Sequence, residues 1–244
     1  MKTDPGIEFV PLPMGEFRFA DGEPHAGELG VVMAYAVRHP TGVILFDTGF
    51  GFGNAELDAY YRLRARRIAA VLADADIAPD SIVAVVNCHL HVDHAGQNGR
   101  FPGIPIYVQS AEWEVAHTTD HTILDWIDAA GTDYRSIDGD HALVDGVRIL
   151  STPGHTPGHQ SLAVEDEGGI RVLAGQAVYT AGEWAGDATA REGRSRAPDP
   201  AAYARSIERL RTLEPVEVRF GHDARVWRRP AAVSTRPAIL PEPC

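Results

Sequence analysis

The stretch Ile82-Val83-Ala84-Val85-Val86-Asn87-Cys88-His89-Leu90-His91-Val92-Asp93-His94 decides the reading of this chain, because an apolar, β-branched run passes directly into three imidazoles and a carboxylate. A run of that kind reads as a strand covered on both faces, so the histidine cluster begins where a buried strand stops. Alternate residues of an extended segment point the same way. His89 and His91 can therefore converge on one cation, and Asp93 and His94, as the chain turns into Ala95-Gly96, can face a second beside it. Neutral imidazole and carboxylate are ligands that zinc prefers, and that iron or manganese accept when oxygen is added.

Outward from this segment the same arrangement recurs, with chemistry-bearing residues on loops just after strands. Val31 to Val37 and Val43 to Phe46 read as a hairpin about the turn His39-Pro40-Thr41-Gly42, ending at Asp47-Thr48-Gly49. Gly146 to Leu150 and Ser161 to Val164 read as strands flanking Ser151-Thr152-Pro153-Gly154-His155-Thr156-Pro157-Gly158-His159. Arg171 to Ala174 is another strand, and Val216 to Phe220 runs into Gly221-His222-Asp223. Ala55 to Ala75 has apolar residues at helical spacing, so one helix is expected there with the arginines from Arg62 to Arg67 on its solvated face. Ile104 to Val108 reads as a strand, Ser110 as the N-cap of a helix beginning at Ala111, and Pro200 to Leu213 as a further helix.

Composition bounds the function. With 22 basic and 34 acidic residues the formal charge is −12, which repels a polyanion and argues against nucleic acid as a partner. No stretch approaches the ~18 apolar residues of a membrane span, and Met1 to Pro5 lacks the apolar run of a leader peptide. Cys88 and Cys244 offer no disulfide framework, which fits a reducing, cytoplasmic location. Residues 1–244 read as a single domain, with a proline-rich tail from about residue 228.

The motif His-x-His-x-Asp-His after a buried strand, with Asp47-Thr48-Gly49 upstream and the Thr-Pro-Gly-His repeat downstream, resembles the metallo-β-lactamase superfamily from about Val31 to His222. The resemblance implies an α/β fold, the αββα four-layer sandwich, with His89, His91 and His155 on a first metal and Asp93, His94 and His222 on a second. Within the superfamily, Thr152 to Leu162 and Phe220-Gly221-His222-Asp223 look most like N-acyl-homoserine lactonases. That likeness implies one or two Zn2+, with Fe or Mn as alternatives, and a small-molecule lactone or ester as substrate, opened by metal-bound hydroxide. It also implies that Tyr179 donates to the substrate carbonyl and that Asp93 shuttles the proton to the leaving alkoxide. Lactonases of this type are monomers or homodimers. His159 and Asp47 are expected to support the ligands without touching metal.

One departure stands out. Where the family carries a carboxylate bridging its two metals, this chain has Gln176, whose amide is neutral and offers one carbonyl oxygen. The expectation is a weakened second site, a mononuclear centre or an altered metal preference. Two other readings share the ligands: a thioester hydrolase of the glyoxalase II type, and a catalytically altered or non-catalytic small-molecule-binding descendant, which Gln176 keeps open. The acidic C-terminus does not resemble the basic helical substrate domain of the former, and Arg219 to Ala224 lacks the lysine or serine pattern of a β-lactamase proper. His117 and His121, four apart on a possible helix, could chelate a cation, but no glutamate follows His117 as in helical zinc proteases, and both are expected to be exposed. His25, His39 and His141 carry no signal, and Asp223 could orient His222 or end a strand. Trp113, Trp126, Trp184 and Phe101 read as packing residues, with an acyl pocket as their other possible role.

Overall fold

A computed structural model describes residues 7–22, 25–190, 193 and 197–230. Two sheets form its centre. The first runs β4 (Arg64–Ala65), β1 (Glu8–Arg18), β2 (Leu29–His39), β3 (Gly42–Phe46), β5 (Ile82–Val86), β6 (Pro105–Gln109) and β7 (Asp133–Ile137). It is antiparallel through β3 and parallel from β3 to β7. The second runs β13 (Trp227–Arg228), β12 (Glu217–Arg219), β11 (Gly169–Leu173), β10 (Gln160–Asp166), β9 (Val147–Ser151) and β8 (His141–Val144), with β11 and β12 as its parallel pair.

The period-2 alternation of side chains builds the layers. Ile44 and Phe46 of β3 point at the second sheet, where with Val37 and Val86 they pack on Ile149, Leu162, Val164 and Leu173. Leu45, one residue out of phase, points the other way with Val85 and Ile106. It packs towards the helices α2 (Ile68–Asp74), α4 (Ser110–Thr118) and α5 (Leu124–Ile127) through Val71, Leu72, Ala116 and Ile127. The outer face of the second sheet buries Leu150, Val172 and Val218 against Trp184 of α6 (Ala181–Ala185) and Leu210 of α7 (Pro200–Thr212). Helix, sheet, sheet and helix thus enclose three apolar seams, and each fully buried aliphatic side chain in them contributes about 1.5–3 kcal/mol.

The chemistry-bearing loops leave the strands at one edge. Asp47 follows β3, His89 and His91 follow β5, His155 and His159 lie between β9 and β10, Gln176 follows β11 and His222 follows β12. The sheets are pinned together there. Gln160 donates its backbone N–H to Cys88 O at 2.7 Å and its amide to Asn87 O at 2.8 Å. Tyr35 Oη donates to Phe220 O at 2.8 Å, and Met33 N to Gly221 O at 2.8 Å.

Three local expectations need correction. The single helix expected over residues 55–75 is divided into α1 (Ala55–Tyr61), the short strand β4 and α2. Arg62 ends α1 in the left-handed region at φ 46°, and Arg64 and Ala65 pair with Glu16 and Gly15 of β1. The arginines therefore sit on a connection and an edge strand: Arg66 pairs with Asp74 and Arg67 covers the Phe52 ring. Ser110 begins α4 instead of capping it, its hydroxyl donating to Ile137 O at 3.4 Å. His121 is not exposed but tucked in with little of its side chain accessible, as described below. Of the proline-rich tail, the prolines after Pro230 lie outside the described residues. Among the described residues no helix is long and apolar enough to cross a membrane.

Candidate metal centre

His89 and His91 leave the end of β5 on an extended turn, and α3 (Val92–Ala95) then projects Asp93 and His94 from its first turn. His91 Nδ1 lies 2.9 Å from His89 Nε2, and His155 Nε2 lies 3.2 Å from each of them. Beside this triad, His94 Nε2, His222 Nε2 and Asp93 Oδ2 lie 3.4 Å from one another. The rings of His89 and His94 are 4.3 Å apart, so the two groups adjoin.

The donor chemistry fits cations. Tetrahedral zinc with Zn–N bonds of about 2.0–2.1 Å separates its ligand nitrogens by roughly 3.3 Å, close to the spacings in both triads. Burial, reinforced by neighbouring imidazoles, holds His89 and His155 well below the usual histidine range and lowers His91 to about 4. These three are neutral at pH 7, with lone pairs available. Burial opposes ionisation of Asp93, but His94 and His222 outweigh it and hold the carboxyl below the usual carboxylate range. Burial likewise opposes charge on His94, yet the carboxylates of Asp93 and Asp47 on either side raise its pKa well above the ordinary value.

Each ring is held from behind. Asp47 Oδ2 lies 2.9 Å from His94 Nδ1 while Oδ1 accepts from Cys88 N at 2.7 Å. Asp47 itself stands at φ 68°, a left-handed conformation that aspartate tolerates better than most residues. His222 Nδ1 donates to Val31 O at 2.8 Å, which leaves Nε2 facing the site. His159 donates from Nδ1 to Thr152 O at 3.1 Å and accepts at Nε2 from the Gln176 N–H at 3.0 Å. Both of its nitrogens are used, and burial lowers its pKa to about 3. Asp223 accepts from Ala181 N at 3.0 Å and pairs with Arg225.

Residues not singled out in the sequence complete the surroundings. Glu112 on α4 is fully buried and accepts from Leu90 N at 2.8 Å, His121 Nε2 at 2.7 Å, Thr156 Oγ1 at 2.5 Å and Gly158 N at 3.2 Å. One carboxylate thus ties the His89–His91 turn to the loop carrying His155. Gly158 is required for this, because a Cβ there would stand 2.2 Å from Glu112 N. His121, against the expectation of exposure, is tucked beside His91 with the rings 4.3 Å apart. His117 remains at the surface, paired with Asp128.

A cavity of about 180 Å³ opens over both triads, walled by Phe17, Phe19, Phe50 and Tyr61 with Gln176 and Tyr179. A neighbouring space of about 410 Å³ shares His91, His155, Gln176 and Tyr179 and extends past His121, Val115 and Pro198. Tyr179 stacks on His222 with ring centres 4.8 Å apart. Trp113, Trp126, Trp184 and Phe101 line neither cavity; Phe101 and Trp184 are buried in the seams. The aromatic wall comes instead from β1, the loop after β3 and α1. Phe17 near the end of β1 and Phe19 just beyond it, two residues apart, are the signal in the sequence for that wall.

The profile of the metallo-beta-lactamase superfamily matches residues 27–229, and the chain belongs to that superfamily. Relatives within the superfamily include N-acyl homoserine lactonases. It is 31% identical over 224 residues to N-acyl homoserine lactonase AttM of Azorhizobium caulinodans, covering 79% of this chain and 82% of that protein. It is 41% identical over 115 residues to the N-acyl homoserine lactonase of Bacillus cereus, a match spanning 47% of this chain and 46% of the relative, about half the length of each. Among solved structures, an N-acyl homoserine lactone hydrolase with the product N-hexanoyl-L-homoserine at its catalytic metal center superposes with a TM-score of 0.72 at 29% identity, covering 89% of this chain and 93% of that one. These neighbours imply a divalent metal centre.

Proposed function

We propose that the chain is a metal-dependent hydrolase that opens the lactone ring of N-acyl homoserine lactones. The observation that carries this reading is the convergence of His89 Nε2, His91 Nδ1 and His155 Nε2 beside Asp93, His94 and His222 under an aromatic-walled cavity. His89, His91 and His155 would hold one divalent cation, and Asp93, His94 and His222 a second, with zinc the ion that this imidazole and carboxylate set suits best. When bound, such a cation supplies a Lewis acid that makes water nucleophilic near neutral pH and polarises a carbonyl.

The remaining work falls to side chains. Tyr179, stacked on His222, donates its hydroxyl to the carbonyl oxygen as negative charge develops there. Asp93, ionised and beside His94 and His222, takes up the proton released when water adds to the carbonyl, on the carboxylate oxygen that does not face those two rings. It returns that proton to the ring oxygen as the C–O bond breaks. Asp47 keeps His94 oriented, and His159 holds the backbone of Gln176. Phe17, Phe19, Phe50 and Tyr61 give the acyl part of the substrate an apolar wall and keep bulk water from the reacting carbonyl. The free, fully buried Cys88 thiol suits a reducing cytoplasm, and a monomer or homodimer would serve equally.

Zinc-loaded protein should hydrolyse acyl-homoserine lactones in preference to thioesters and to a chromogenic β-lactam, and His91→Ala should lose both metal and activity. Lactone hydrolysis surviving in a metal-free His91→Ala protein would overturn the proposal.

A further inference from the structure

Gln176 lines both cavities over the triads: it borders one with His91, His155, Asp93 and His222, and the other with His91 and His155. Its residue is 8% exposed, and its Oε1 is buried with no hydrogen-bond partner among the described residues. The root of the side chain is fixed. Gly175 sits at φ 59°, with its Cα packed so that a Cβ would stand 2.6 Å from Cys88 Cβ, and the Gln176 N–H is taken by His159. A rigidly rooted, buried carbonyl oxygen without a donor is a ready oxygen ligand for a cation.

That oxygen brings no charge. The six triad residues contain one carboxylate, Asp93, to set against two adjacent dications. No other acid can turn in to help: both Asp47 oxygens are engaged by Cys88 N and His94 Nδ1, and both Glu112 oxygens by four donors. The first cation to bind neutralises the available charge, and the second meets net repulsion across a short gap in a buried site.

We infer that the two triads bind cations with strongly unequal affinity, one cation held tightly and the other exchangeable, because the residue that lines both of their cavities is the neutral amide of Gln176 and not an acid. This rests on the reading of the triads as a metal centre. The test is metal counting and needs no turnover. Metal-free full-length protein is titrated with Zn2+ in competition with a chromophoric chelator, and zinc retained after dialysis is measured by elemental analysis. The native protein should retain one equivalent, with the second binding at least about 100-fold more weakly. The near-isosteric Gln176→Glu variant, checked for native circular dichroism, should retain two. Two equally tight equivalents in the native protein, or a single one in a folded Gln176→Glu, would overturn the inference while leaving the metal centre standing. No retained zinc in either would overturn the metal reading itself. Should Gln176→Glu not fold, the native titration alone decides, since it measures both affinities directly.

Discussion

Replacing Glu112 with glutamine probes how the two histidine loops are held in register. In the native protein Oε1 faces the Leu90 N–H and His121 Nε2, and Oε2 faces Thr156 Oγ1 and the Gly158 N–H. A glutamine offers one oxygen and one NH2, so whichever way the amide is placed its NH2 points at a backbone N–H that cannot reverse its role. His121 can change tautomer and Thr156 can rotate its hydroxyl, but Leu90 N or Gly158 N loses its acceptor. An unsatisfied buried donor costs about 1–3 kcal/mol, and the remaining bonds lose their charge assistance. Together these give a destabilisation of about 3 kcal/mol, measured by urea unfolding of the metal-free protein. Because Leu90 lies between His89 and His91 and Thr156 follows His155, zinc affinity should also fall by roughly 10–100-fold, as for other groups that orient ligands. A Glu112→Gln protein within about 0.5 kcal/mol of the native stability and with unchanged zinc affinity would refute this account.

Asp47→Asn preserves the left-handed backbone and the acceptor for Cys88 N but removes the carboxylate from His94. Chelator competition should show zinc bound about 10–100-fold more weakly, and an unchanged affinity would remove Asp47 from the centre. Tyr179→Phe keeps the stack on His222 while losing the hydroxyl; kcat for lactone opening should fall by about 10²–10³ with little change in KM, and an unaltered kcat would exclude the donor role. Acidification should destabilise the metal-free protein. His91 and His159 are lowered to about 4 and about 3 in the folded state, so the unfolded chain takes up their protons first. Stability is then lost as the pH falls from about 6.5 towards 4. The raised pKa of His94 acts in the opposite sense but is one group against several; urea midpoints that rise on going from pH 7 to pH 5 would contradict the assignment.

The parts legible in the sequence were those whose meaning is local. Ile82 to Val86 announces a buried strand by composition alone, and three histidines and an aspartate on one turn announce a cation site before any partner is known. The strand β1 is hidden in the sequence, because Pro11 and Pro13 argue against a strand interior. They are tolerated since β4 pairs only with Gly15 and Glu16, leaving residues 8–13 with an open edge among the described residues. The break between α1 and α2 was hidden because the left-handed residue that makes it is Arg62, with no glycine to mark it. Glu112 carries no local pattern, and the spacing of four between His117 and His121 points to a shared helix face that the structure does not use. The role of Glu112 and His121 exists only once α4 is packed under two loops that are distant in sequence, which no periodicity can report.

The hydrogen bonds that pin β2 to the segment after β12 span 185 residues for Tyr35 and Phe220, and 191 for Val31 and His222. Contacts of such sequence separation close very large loops and form late. His222 presents Nε2 to the centre only through one of them. A nascent chain can fold its first sheet and gather His89, His91 and Asp93 long before this clasp exists. The full set of six side chains therefore assembles late in the life of the polypeptide, and a protein stalled or cleaved before residue 222 would keep the first triad entire but lack one member of the second.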